Sequence, residues 1–483
     1  MRKLNSRTVP KFNFGDFFTG SETPRRDAGG AGAGLRPERA FAVLAVLFGA
    51  GFLVLTPPLQ APDEIRHLLR AHAIAEGQLL ARAQPGRHAF VEVPRDLLEL
   101  ETRLGAAPIR RHPERVQDPE RLRQELRRPI DDARRVPVRM PSLYSPVPYA
   151  PQALAIAAVR RAGGSAVACV WAGRLANLAL YTGLVLWALR RAPAHRWTLF
   201  LLATTPMALF EAAALGADAA TNALAFLLVA CLLHAGVGPG PLGRREIAGL
   251  ALVAALLGLC KQAYCPLALL GLAIPGGRFA SPGRRAAAVC GVAAAGLVPA
   301  TLWFGVLRGL ALGPLIQGAD PDAQMHLVLE DPLRTVQVFG TTLWRNLPVY
   351  VRTFVGYLGH VDTPLPGAVY VLHPLLLVGV AVFDGGRRSP VGAGARLVLV
   401  AVAALAWLAT MLLAYLGWNR PGDEIVRYVQ GRYFIPFATL LFVALHHPRS
   451  PGLPAAARWG AAAASATALA VALLAVAVRY WVA

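Results

Sequence analysis

The sequence predicts an all-α integral membrane protein with about eleven transmembrane helices and a long early extracytoplasmic loop. Three observations lead there. The 483 residues are 55% hydrophobic and only 16% charged, where a soluble domain carries about 25% charged residues. Apolar runs recur along most of the length. The short loops between them are basic at every second position, as expected when cytoplasmic loops collect Lys and Arg.

Residues 1–38 are polar, basic and glycine-rich, with Gly29-Gly30-Ala31-Gly32-Ala33-Gly34, and read as a disordered cytoplasmic tail. The tail is long for the start of a signal peptide, and no A-x-A site follows the apolar run. Residues 39–56 therefore read as an uncleaved first transmembrane helix with a cytoplasmic N-terminus. Residues 39–483 form one polytopic domain.

Pro57 and Pro58 stop the first helix. The chain then runs Leu59-Gln60-Ala61-Pro62-Asp63-Glu64-Ile65-Arg66-His67. Pro62 suits a first helical position, with Asp63 and Glu64 in the first turn, where carboxylates suit the helix dipole. His67 then shares their face, and Asp63, Arg66 and His67 are spaced for one ionic network. The other reading is a charged cap on the membrane surface. Residues 57–165 form the first extracytoplasmic loop, Arg-rich over about 82–140. At its end, prolines 141, 146, 148 and 151 around Tyr144 and Tyr149 predict a rigid, extended, aromatic stretch suited to lining a groove. Residues 152–160 are apolar but too short to span.

The remaining spans are predicted at 166–189, 197–214, 218–235, 246–260, 264–275, 286–308, 366–383, 394–417, 432–446 and 457–481. The two beside Lys261 are short enough to be half-spans. The predicted inside loops carry Arg190, Arg191 and Arg196; Arg244 and Arg245; Arg278, Arg284 and Arg285; Arg387 and Arg388; Arg449 and Arg458. Residues 57–165, Lys261, a second extracytoplasmic loop at 309–365, the 418–431 loop and the C-terminus then lie outside.

The net charge of +21 follows from this topology and from anionic lipid. No zinc-finger or RNA-binding motif supports nucleic acid as a partner. The five cysteines lie in or beside apolar stretches without a C-x-x-C and read as small core residues.

Four constellations converge on the outer side. The first is Asp63, Glu64 and His67; D-E-x-x-H lacks the first histidine of a zincin, which excludes that metalloprotease. The second is Lys261, the sole lysine beyond the tail; it either holds a phosphate or snorkels at the interface. The third spans 344–366: an amphipathic interfacial helix, then His360 and Asp362 just before a span. The fourth is Gly431-Arg432-Tyr433-Phe434. An arginine entering an apolar span needs an anion, a lipid phosphate or a protein carboxylate. No G-x-x-x-x-G-K-[ST] loop is present. Chemistry outside would then draw on a membrane-carried donor, with a carboxylate as base and Arg or Lys at the departing phosphate.

These motifs, in order, resemble a known family. They are P-x-x-Q-x-P-D-E-x-x-H ending at His67, S-P-x-P-Y-x-P-Q-A at 145–153, the Lys261–Pro266 segment, G-x-x-D-T-x-L-P at 359–366 and Q-G-R-Y-F-I-P at 430–436. Together they resemble a bacterial membrane-protein family of unknown function grouped with the GT-C glycosyltransferases, over about residues 40–445. Lys261 is followed by Gln262 where that family would have proline. The resemblance implies an inverting membrane glycosyltransferase that takes a sugar from a polyprenyl-phosphate donor to a cell-envelope glycan or lipid. It implies an acidic base in the first outer loop, at Asp63 or Glu64. His67, Tyr144, Lys261, His360, Asp362, Arg432 and Tyr433 are the substrate-binding candidates. No cofactor is assigned; a divalent metal held by Asp63 and His67 is the open alternative. Other readings are a transporter or flippase of lipid-linked sugars, which would show mid-membrane charges and repeats, and a non-catalytic assembly subunit.

Overall fold

A computed structural model describes residues 35–482, except 85–86, 140–143, 311–314 and 387–388. The predicted tail over 1–34 and the loop arginines Arg387 and Arg388 lie outside the described residues. The chain is an all-α membrane protein. Helix α1 (Pro37–Leu55) starts with a proline in its first turn and ends before Pro57 and Pro58. Next come α2 (Glu64–Ala75), a small antiparallel sheet of β1 (Arg82–Gln84), β2 (Arg87–Pro94) and β3 (Arg135–Arg139), and α3 (Ala150–Arg161). The helices that follow are α4 (Ala166–Arg191), α5 (Arg196–Ala203), α6 (Pro206–Ala212), α7 (Asp218–Ala235), α8 (Arg244–Cys260) and α9 (Pro282–Arg308). The last are α10 (Pro332–Val355), α11 (Gly367–Asp384), α12 (Ala393–Trp418), α13 (Ile435–Ala444) and α14 (Ala455–Trp481).

Among the described residues, seven of these are long and apolar enough to cross a membrane: α1, α4, α7, α9, α11, α12 and α14. The other four predicted spans are helical but shorter. The 197–214 segment breaks at Thr204-Thr205 into α5 and α6, because Pro206 cannot continue a helix from within. Residues Gln262–Ala273 wind as a 3-10 helix around the internal Pro266. Residues 431–444 are one 3-10 turn followed by α13. Helix α8 has 17 residues and meets the 3-10 helix at Lys261. Helix α7 is the central post, with 89% of its apolar stretch buried, against 17% for α9, which turns Leu302 and Phe304 outward.

The 57–165 segment is a folded cap on one end of the bundle. Its Arg-rich middle, over about 82–140, holds regular structure. Alternation reveals it: Ala89, Val91 and Val93 are fully buried on one face of β2, beneath Leu97 and Leu100. The predicted extended stretch at 145–151 is not extended. Val147–Tyr149 is a 3-10 turn and Pro151 sits in the first turn of α3, where the missing N–H costs nothing; residues 141–143 lie outside the described residues. The 309–365 segment is also largely helical: α10 continues back from the predicted amphipathic piece, with Trp344 80% exposed and Phe339 and Tyr350 buried.

The end of α14 closes the cap. The Trp481 indole N–H donates to the Leu55 carbonyl at 2.6 Å, and Arg479 donates to Ile109 O at 2.6 Å and Arg115 O at 3.0 Å. Helices α1 and α14 thus finish at the same, cap-bearing end. The opposite end is tied by Arg196–Glu38 at 2.6 Å, Thr198 N to Asp384 at 2.8 Å and His195 to Ser389 at 2.8 Å.

Candidate functional site

Glu64 and Asp63 are neighbours in sequence with opposite environments. Both Glu64 oxygens are taken by Arg174 of α4, at 2.7 and 2.6 Å, and they also accept the Leu59 and Leu215 N–H groups at 2.8 and 3.1 Å. Both side chains of the pair are fully buried. Burial by itself would raise the Glu64 carboxyl, but the Arg174 guanidinium and the two N–H groups hold it below the ordinary range. Arg174 also donates to the carbonyls of Leu53, Thr56 and Pro57. It therefore caps α1, whose last carbonyls have no partner within the helix. The geometry gives Glu64 a structural place rather than a site on the open face, because no oxygen is left to meet a substrate.

The helix starts at Glu64, two residues later than expected, and Asp63 is its N-cap in a left-handed conformation, φ 56°. Leu59 is left-handed too, φ 68°. A non-glycine residue held there costs energy and tends to mark functional backbone; Asp tolerates it better than most. The turn aims the Asp63 carboxylate outward: it is exposed and makes no side-chain cap bond. The expected Asp63–Arg66–His67 ionic network is absent, because Asp63 is not on the helix. His67 instead turns its Nδ1 to the Tyr149 hydroxyl at 2.7 Å.

Near Asp63 the cap and bundle bring together a buried cluster of charges and rings, the chamber. Lys261 forms an ion pair with Asp218, the first residue of α7. Its Nζ lies 5.6 Å from the Tyr144 ring centre and 5.2 Å from that of Tyr433. Arg432 lies 5.1 Å from the Tyr433 ring and 3.4 Å from Glu211 of α6, whose other oxygen accepts from Asn222 at 3.2 Å. Of the anions expected for Arg432, the structure supplies a protein carboxylate. Both cations still have capacity: a guanidinium carries five N–H donors and an ammonium three, the two Arg432 contacts are long at 3.4 Å, and its Nε has no partner. Burial, with Lys261 and Arg432 adding to it, lowers His67 to about 4 against the pull of Asp218 and Asp63, so it is neutral at pH 7. Burial raises the Tyr144 and Tyr149 phenols, which stay protonated.

Each wall is built for its place. Arg70, fully buried, donates to the Tyr144 carbonyl at 3.0 Å and to Leu79 O at 2.8 Å. Ser145 donates to Leu259 O at 2.6 Å, tying the Tyr144 segment to the end of α8 that presents Lys261. Gln152 and Asn177 donate to the Gly216 and Ala214 carbonyls at 2.8 Å each, holding the turn that delivers Asp218. Gly431 packs so closely on α10 that a Cβ would collide with the Tyr350 carbonyl, and its N–H donates to Thr353 at 2.7 Å.

His360 and Asp362 part company. Asp362 is a clasp: it accepts from His360 N–H and the Tyr480 hydroxyl at 3.0 Å each, and pairs with Arg479 at 2.8 Å. The His360 ring lies near the Ala61 backbone and feels the Asp63 charge; its partial burial, with Arg110, lowers its pKa. The structure thus gathers His67, Tyr144, Lys261, Arg432 and Tyr433 in one chamber, with Asp63 near it and His360 near Asp63. Asp218, Glu211 and Arg174 were missed, and Tyr149 was read only as part of the aromatic stretch. The missed three had a signal: Arg174, Glu211 and Asp218 are lone charges in apolar runs, where an ionisable residue is costly without use. Among the described residues no group of three or more metal-type ligands forms, and Asp63 and His67 make a set of two.

An apolar groove of about 590 Å³ rises along the bundle to Gln262, beside Lys261, between Cys265, Leu269, Phe339, Leu408 and Leu412. Fold and site together define a multi-pass membrane protein with a folded cap over a buried ionic and aromatic chamber. The chain belongs to the family described as predicted membrane protein (DUF2142), whose model matches residues 46–441. No curated protein and no solved structure matches it.

Proposed function

We propose that the protein transfers a sugar from a polyprenyl-phosphate donor to a hydroxyl acceptor at the cap side of the membrane, with Asp63 as base. The observation that carries this reading is the placement of an unpaired, outward carboxylate near two cations with unused N–H donors, one of which, Lys261, directly precedes Gln262 at the edge of an apolar groove. The prenyl chain lies along the Gln262–Leu269 groove. Its phosphate meets Lys261 and Arg432, between the rings of Tyr144 and Tyr433. Asp63 takes the proton of the acceptor hydroxyl as its oxygen bonds to the anomeric carbon. The bond from that carbon to the phosphate oxygen breaks, and its electron pair leaves with the lipid phosphate, where Lys261 and Arg432 stabilise it. His67, neutral and fixed by Tyr149, lines the chamber without adding a third cation. Glu64 holds the cap and does no chemistry. In the positive-inside topology, the cap and this chamber face the outside of a bacterial inner membrane.

The test is transfer of labelled sugar from purified polyprenyl-phosphate donor by wild type, Asp63→Asn and Glu64→Gln in the presence of membrane lipid extract. Loss of turnover in a folded Asp63→Asn is the expected result. Full turnover in Asp63→Asn refutes the proposed base.

A further inference from the structure

A second groove, of about 680 Å³, ends at Asp362 and Thr363, in the loop that carries His360, within the range of ligand sites. Its long wall is the outward side of α14, from Val471 through Leu474 and Ala475 to Val478, and its facing wall is Leu365 and Pro366. Leu474 and Val478 are 64% and 49% exposed. They sit on a helix long and apolar enough to span a membrane, so the groove opens toward bilayer lipid. Its upper end is polar: Glu114, Asp362, Thr363 and Arg479. The Arg479 side chain is 8% exposed and its Nε has no partner, although its other nitrogens bond Arg115 O, Ile109 O and Asp362. An unmet N–H at the head of an apolar groove suits an oxygen acceptor on a head group.

The two grooves differ in charge. The lining of the first has no charged side chain and reaches Gln262, next in sequence to Lys261. The lining of the second carries two carboxylates, Glu114 and Asp362, against one guanidinium. That balance disfavours a phosphate and suits hydroxyls. The second groove also approaches the proposed base: Asp362 holds the backbone of His360, whose ring feels the Asp63 charge.

We infer that the second groove seats the acceptor, a membrane lipid with an uncharged, hydroxyl-bearing head such as a neutral glycolipid, so that donor and acceptor reach Asp63 through separate grooves. This rests on the transferase reading. The acceptor hydroxyl gives its proton to Asp63 and its oxygen to the sugar, as the donor phosphate departs toward Lys261.

The full chain in phosphatidylcholine nanodiscs tests it, with three photoreactive probes: monoglucosyl diacylglycerol, phosphatidylglycerol and a polyprenyl phosphate. The glycolipid should label peptides containing 364–366 and 471–478 at least about tenfold more than phosphatidylglycerol does. Val478→Trp and Ala475→Trp, each filling the groove, should cut that labelling by a similar factor. Polyprenyl-phosphate labelling around 265–269 should not change in either variant, which also reports that they fold. Equal labelling by phosphatidylglycerol, or glycolipid labelling that neither tryptophan reduces, overturns the inference. Sugar transfer that persists in both variants overturns the acceptor assignment and leaves the transferase standing. A seated glycolipid that yields no product with any polyprenyl-phosphate donor overturns the transferase reading instead.

Discussion

Asp63 and Glu64 show how one peptide bond separates an exposed carboxylate from a buried one. Asp63 is held left-handed and open, so Asp63→Asn should fold normally and lose about 10²–10⁴-fold in turnover, the usual share of a general base. Glu64→Gln should do the reverse. It leaves Arg174 buried beside a neutral partner, and breaking a buried pair costs about 3–5 kcal/mol. Thermal unfolding in detergent should show a clear drop for Glu64→Gln and none for Asp63→Asn. The cations follow the same logic. A paired replacement, Arg432→Gln with Glu211→Gln, strands no charge and should weaken donor binding by about 1.5–3 kcal/mol, read as a rise in the apparent dissociation constant; unchanged donor binding would remove Arg432 from the site. Asp63, Lys261, Arg432 and Tyr433 were legible because their chemistry is out of keeping with apolar surroundings. Glu64 was not separable from Asp63 in sequence, since its partner Arg174 lies 110 positions away. The left-handed turn between them belongs to tertiary packing.

At the scale of elements, the long apolar helices were readable and the short ones were readable only as apolar. Composition cannot say that Pro206 breaks one segment or that Pro266 tightens another into a 3-10 helix. The cap was opaque because its strands are short and separated: β2 pairs with β3 across some forty residues of helix and loop. Helix α2 carries a pH prediction. Burial lowers His67 and His72 to about 4, for His72 against the pull of Glu76. Arg160, Arg135 and Asp132 also face His72. The folded protein therefore holds both rings neutral while the unfolded chain takes up protons near 6.5. Stability rises with pH across that interval. It is fully present above about pH 6.5 and is lost progressively as pH falls toward 4. For the fully buried His72 the loss is on the order of 3 kcal/mol. Unfolding midpoints at pH 7 and pH 5 should differ, and His72→Gln should shrink the difference; a flat profile would contradict the burial argument.

For the whole molecule, the two ends of the bundle are the testable unit. The start of α1 and the end of α14 lie at opposite ends, and the cap sits with the latter. Cysteines placed at Glu99 and Glu120, both exposed on the cap, should react with an impermeant thiol reagent in intact cells. Labelling only after lysis would put the cap, and with it the chamber, on the cytoplasmic side.

The clasp made by Arg479, Tyr480 and Trp481 sets an order of events during biosynthesis. Translation proceeds from the N-terminus, so the cap emerges before Arg174, Asp218, Lys261 and Arg432, and long before the residues that fasten it. A nascent chain thus carries a loose cap through the insertion of every later helix. The cap is fastened only after α14 enters the membrane, so an immature polypeptide lacks the Arg479–Asp362 and Trp481–Leu55 ties.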